Sequence, residues 1–140
     1  MWAKPTMTPK TEAVYEIINQ YVTLACELAT RMKEKFEADN LLSAYRDRRI
    51  PKSGSLDDSW AFQFHGGGCR FESKDSMVDV EFGHSGRHDL FDAWRVYQFA
   101  KHCGSLENVT AEVVAEAIKG LVEVNKVCHV AGEQYMLQAG

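Results

Sequence analysis

Three histidines, His65, His84 and His88, lie in the middle of the chain together with Arg70, Glu72, Asp79, Glu81 and Arg87. Imidazoles titrate near neutral pH, so such a set is where acid/base chemistry, metal binding or charge-based recognition would be sought. Each chemistry makes a demand on spacing. His65 and Cys69 would serve as base and nucleophile, or as two metal ligands, only if their side chains converged; on strands joined by a tight turn they point to opposite faces. His84 and His88 are four apart, but Gly83, Ser85 and Gly86 make a loop there, and no Cys-x-x-Cys or His-Glu-x-x-His completes a zinc set. His102 with Cys103, and Cys128 with His129, are neighbours that a helix would separate by about 100°.

Glu72, Asp79 and Glu81 supply carboxylates for acid/base work, which needs a pocket that shifts their pKa values. Nothing in the pattern builds that pocket, and Arg70 beside Glu81 reads as a cross-strand ion pair. Gly66, Gly67 and Gly68 resemble a phosphate cradle, yet a strand follows them where that motif requires a helix N-terminus. No catalytic residue, metal ligand or cofactor is therefore assigned.

The elements that position these residues follow from periodicity. Residues 1–8 form a frayed lead-in, and Thr8 and Pro9 start a long helix. Its apolar stripe is Val14, Ile17, Ile18, Tyr21, Ala25, Leu28, Met32 and Phe36. Asp39 or Asn40 caps a short second helix that must end before Pro51, and a polar loop runs from Arg48 to Ser59. Alternation at Trp60, Phe62 and Phe64, then Cys69 and Phe71, then Val78, Val80 and Phe82 gives three strands with one buried face.

A two-residue turn at Gly66-Gly67 pairs Phe64 with Cys69 and Phe62 with Phe71, and a turn at Asp75-Ser76 pairs Phe71 with Val80 and Cys69 with Phe82. The opposite, uncovered face then holds a row of Gln63, Arg70 and Glu81, a row of Ala61, Glu72 and Asp79, and an end row of His65, Gly68 and Gly83. His65, His84, Arg87, His88 and Asp89 gather at the glycine-rich end. Asp89 caps a helix with Leu90, Phe91, Trp94, Tyr97 and Ala100 buried and Gly104 as its stop; Phe71, Val80 and Trp94 form the core centre. A last helix starts at Thr110 and runs through Val122 past Cys128. The expected fold is a single α+β domain over 1–140: a three-stranded antiparallel meander with three to four helices on one face, in the order α-α-β-β-β-α-α.

With 140 residues the chain forms one core, and its net charge of −4 disfavours a nucleic-acid partner. The basic run of Arg46, Arg48, Arg49 and Lys52 reads as a solvated loop that can still attract an anion. No apolar run spans a bilayer and no leader pattern is present, so a cytoplasmic location and no membrane partner are expected. Cys26, Cys69, Cys103 and Cys128 are scattered, and buried free thiols are expected.

The stretch Phe62-Gln-Phe-His65-Gly-Gly-Gly68-Cys69, with Val80-Glu81-Phe82-Gly83 and Phe91-Asp92-Ala-Trp94-Arg95, resembles a family of small bacterial proteins similar to the immunity proteins of polymorphic toxin systems. The resemblance covers residues 58–103. It implies a non-catalytic binding protein that occludes a cognate toxin, with His65, Arg70, Glu72, Asp79, Glu81, His84, Arg87 and His88 as the partner-binding set. The alternative is a small hydrolase or transferase using the corner of His65, His84 and His88.

Overall fold

The computed structural model describes residues 7–82, 87–104 and 108–138. Helix α1 (Pro9–Phe36) begins at the Thr8 cap, whose side chain accepts from the Thr11 N–H. It ends at Glu37, whose left-handed backbone (φ 50°) turns the chain. All the residues of its expected stripe are buried except Phe36, which is partly buried. Asn40 caps the short α2 (Leu41–Arg46).

The sheet has four antiparallel strands, one more than the meander expected: β1 (Ser53–Ser55), β2 (Ala61–His65), β3 (Gly68–Glu72) and β4 (Met77–Glu81), in that spatial order. The extra strand lies inside the segment read as a loop. Ser-Gly-Ser has no apolar alternation, and it is recruited by pairing Gly54 with Phe62 rather than by burial. The first hairpin has the expected register, Phe64 with Cys69 and Phe62 with Phe71.

The second hairpin is shifted by two residues: Phe71 pairs with Val78 and Cys69 with Val80. The cause is local. Ser73 N–H donates to the Ser76 carbonyl at 2.8 Å and Ser76 N–H to Ser73 Oγ at 3.1 Å, which closes the turn one residue earlier than Asp75-Ser76. An even shift preserves the faces. Phe62, Phe64, Cys69, Phe71, Val78 and Val80 thus remain on one buried side.

Helix α1 crosses that side from β4, where Tyr21 Oη donates to the Asp79 carbonyl at 2.6 Å, to β2, where the Phe36 and Phe62 rings meet edge to face. Tyr45 of α2 stacks on Phe64 with ring centroids 4.2 Å apart. Helix α3 (Ala93–Cys103) is capped by Asp92, not Asp89, and stops at Gly104 as expected. Its buried residues are Val96, Phe99 and Ala100. Trp94 is 56% exposed, contrary to its expected place in the core: the helix starts three residues later than expected, and its buried stripe runs through Val96, Phe99 and Ala100, leaving position 94 outside it. Leu90 and Phe91 are buried by an extended segment, in which Phe91 and Tyr135 exchange backbone hydrogen bonds.

Helix α4 (Ala111–Glu123) starts from the Thr110 cap but ends well before Cys128. Asn125, at φ 62°, breaks the helix, and a second, unexpected hairpin follows: β5 (Val127–Ala131) with β6 (Gln134–Leu137). The element order is therefore α-α-β-β-β-β-α-α-β-β. The cysteines are free; Cys69 alone is fully buried, and Cys128 is exposed. Among the described residues no helix is long and apolar enough to cross a membrane.

Candidate functional site

The open face of β2 and β3 carries Ala61, Gln63, His65 and Glu72 exposed and Arg70 half-buried. Strand β4 differs from its neighbours because both its faces are buried. Met77 and Asp79, on the polar side, are 8% and 7% exposed. Helix α3 lies along this edge, with Ser76 Oγ 3.3 Å from Cys103 Sγ and Arg95 reaching Glu81. The face expected to be uncovered is thus open over two strands and closed over the fourth.

Asp79 organises the open part. The two-residue shift places it, rather than Glu81, opposite Arg70. Its Oδ1 lies 2.6 Å from His65 Nε2, and its Oδ2 lies 3.7 Å from Arg70 Nη2. Arg70 also reaches Glu72 at 3.9 Å. Four of the eight expected residues, His65, Arg70, Glu72 and Asp79, therefore form one cluster. Gly68 lies between His65 and Glu81 in the strand register, and a methyl group there would run into the Val80 carbonyl oxygen. This close approach of β4 explains why glycine occupies the position.

Glu81 belongs to a second network. Arg95 Nη1 contacts Glu81 Oε2 at 3.3 Å and also Asp92, whose other oxygen accepts the Arg95 N–H as helix cap. Burial works to lower the Arg95 pKa, but the carboxylates of Asp92, Glu81 and Asp79 outweigh it and the net direction is up. The expected Arg70–Glu81 pair is replaced by these two.

At the glycine-rich end, Arg87 and His88 each take a partner outside the cluster. Arg87 forms a two-pronged pair with Asp89, at 3.0 and 2.8 Å, and touches Met136 of β6. That bond raises the Arg87 pKa and lowers that of Asp89. His88 turns to α1, with Nε2 3.3 Å from Lys33 Nζ; burial, and then Lys33, hold its pKa below the usual imidazole range. Among the described residues neither hydrogen-bonds nor ion-pairs with His65, and His84 lies outside them. The sequence reading also missed Arg95 and the exposed Trp94; Asp92, a better cap than Asp89 for the Val96, Phe99 and Ala100 stripe, was the available signal.

A carboxylate-oriented imidazole has the geometry of a general base. Among the described residues, however, no serine, threonine or cysteine side chain hydrogen-bonds to His65. Cys69 faces the core, and burial pushes its thiol up to about 12, far from a reactive thiolate. Among the described residues no three of His, Cys, Asp and Glu come together as a metal set. Beside the cluster, Ser53, Gly54, Gln63, Arg70 and Glu72 line a shallow depression of about 300 Å³.

Fold and site together define a small α+β domain with a one-sided sheet whose free face bears a Asp79-centred charge cluster. The chain belongs to the DUF6896 family, a domain of unknown function, whose pattern matches residues 14–137. No curated protein and no solved structure matches the chain.

Proposed function

We propose that the domain is a non-catalytic binding protein of the immunity type, which neutralises a cognate bacterial toxin in the cytoplasm by covering it. The observation that carries this reading is the Asp79-centred cluster: His65, Arg70 and Glu72 stand on rigid strands, and a nearly buried carboxylate orients two of them. Side chains fixed before contact lose less entropy on docking, and arginine is favoured at the centres of interfaces. The shallow, open face suits a protein surface better than an enclosed small molecule. The resemblance over residues 58–103 points the same way, and neither nucleic acid nor membrane enters this reading.

The test is capture of the partner with the full chain from the native strain, followed by titration. Arg70→Ala and Glu72→Ala are expected to weaken binding at least tenfold with unchanged circular dichroism. Unchanged affinity in both would overturn the reading. One observation favours a second reading, a small hydrolase or transferase: the 2.6 Å His65–Asp79 contact matches a base and its orienting carboxylate. A turnover activity of the purified chain that vanishes in both His65→Ala and Asp79→Asn would establish that reading in its place.

A further inference from the structure

The chain has seven arginines, and four of them, Arg31, Arg70, Arg87 and Arg95, each have a carboxylate partner. The other three, Arg46, Arg48 and Arg49, together with Lys52, are exposed and make no ion pair among the described residues. In a chain with 20 acidic residues against 16 basic, four neighbouring cations without counter-charge are conspicuous. Asp47 is the one carboxylate inside the segment, and it pairs with none of them.

The segment is held firmly. Arg48 N–H donates to the Tyr45 carbonyl at 3.0 Å and Arg49 N–H to the Ala44 carbonyl at 2.8 Å, which closes the end of α2. Ile50 is 2% exposed, and the Lys52 carbonyl accepts from Phe64 N–H of β2 at 2.7 Å. Between these anchors Tyr45, Arg46, Arg48, Ile50, Pro51 and Lys52 wall a concavity of about 390 Å³. Three cationic residues thus line a hollow that also has an apolar wall, with Arg49 alongside in the sequence.

We propose that this concavity is a binding site for the phosphate group of a small molecule. Guanidinium groups match phosphate oxygens in two-pronged hydrogen bonds, and lysine adds a point charge. A carboxylate offers one charge to the three cations, whereas a phosphoryl group offers about −1.5 to −2 and three acceptor oxygens. A nucleic-acid strand fits less well. The chain is acidic on balance, which opposes an extended polyanion. The site shares no lining residue with the Asp79 cluster, although Lys52 lies beside Phe64 on β2, and it does not depend on the binding role proposed for that cluster.

The experiment is isothermal titration of the full chain with inorganic pyrophosphate, with ATP, and with a hexaglutamate peptide, at low and physiological salt. Pyrophosphate binding that weakens as salt rises is expected. Arg48→Gly suits the test because Arg48 has a left-handed backbone (φ 61°) that glycine adopts without strain, so the charge is removed while the turn is kept. Arg48→Gly and Lys52→Gln should each weaken pyrophosphate binding at least fivefold, and the double variant should abolish it with the circular dichroism spectrum unchanged. Tighter binding of ATP than of pyrophosphate would identify a nucleotide that uses the Tyr45 and Pro51 wall; equal affinity would identify the phosphate group alone. Absence of pyrophosphate binding at millimolar concentration, unchanged affinity in the double variant, or binding of hexaglutamate alone would overturn the proposal.

Discussion

His65 Nε2 lies 2.6 Å from Asp79 Oδ1, so a side chain on β2 spans β3 to reach a nearly buried carboxylate on β4. Coupling between the two should be measurable. In a double-mutant cycle of His65→Ala and Asp79→Asn, urea denaturation is expected to return an interaction energy of about 0.5–3 kcal/mol. Asp79→Asn alone should cost about 1–3 kcal/mol, because Arg70 and His65 both lose a charged acceptor. Strictly additive effects would show that the contact carries no energy.

Gly68→Ala should destabilise by about 1–3 kcal/mol, since the added methyl meets backbone and not a yielding side chain. Gly67, where a methyl meets no atom within 4 Å, is the control. Equal melting temperatures for Gly68→Ala and Gly67→Ala would contradict the close approach of β4 to β3.

Phe71 and Trp94 should respond in opposite ways to truncation. Phe71 is 0% exposed, so Phe71→Ala is expected to cost about 3–5 kcal/mol. Trp94 is 56% exposed and, among the described aromatic rings, packs on Tyr97 alone, so Trp94→Ala should stay within about 1 kcal/mol of the parent. Equilibrium denaturation of the two variants decides the matter, and a large loss in Trp94→Ala would return it to the core.

His88 should make stability depend on pH. Its folded pKa is lowered, first by burial and then by Lys33, so the unfolded chain binds the proton more readily. Stability is then greatest above the unfolded value of about 6.5 and declines as pH falls through it toward the lower folded value. Asp89 and Asp57, whose folded pKa values are also lowered, lose their contributions only at more acidic pH, in the carboxylate range. Replacing His88 with Gln should flatten the decline between about pH 7 and pH 5. An unchanged slope would mean that His88 does not carry it.

How far the fold could be read from the residues varied with the strength of local signals. The α1 stripe and the caps Thr8 and Thr110 are unambiguous because apolar spacing and cap chemistry agree, whereas Asp39 and Asn40 offered the same cap chemistry for α2 and the structure uses Asn40. The first hairpin is equally legible, since Gly66 at φ 50° fits its turn. The second hairpin slips because Ser73 and Ser76 bond each other, a preference that apolar alternation does not report. Strand β1 contains no apolar residue and exists through pairing alone.

The terminal hairpin did leave a trace in Gly132 between Val130 and Tyr135, but the apolar spacing of α4 ran on into it. Within the candidate site, the composition of the cluster was legible and its partners were not. Moving β4 by two residues exchanges Glu81 for Asp79 opposite Arg70 while leaving the same residue types on the same face.

Sheets grow at their margins, and both margins of the four-stranded sheet are hindered. On the β4 side α3 packs against the strand through Ser76–Cys103 and Arg95–Glu81 contacts. On the other side β1 offers only three residues, Ser53–Ser55, with Pro51 just before them, and the ammonium of Lys35 already occupies the Ser55 and Leu56 carbonyls at 2.7 and 3.2 Å. A neighbouring chain seeking to extend the sheet would find few free carbonyls and would have to displace a lysine. A strand without apolar content that contributes little to the core thereby makes this margin a poor template for edge-to-edge pairing.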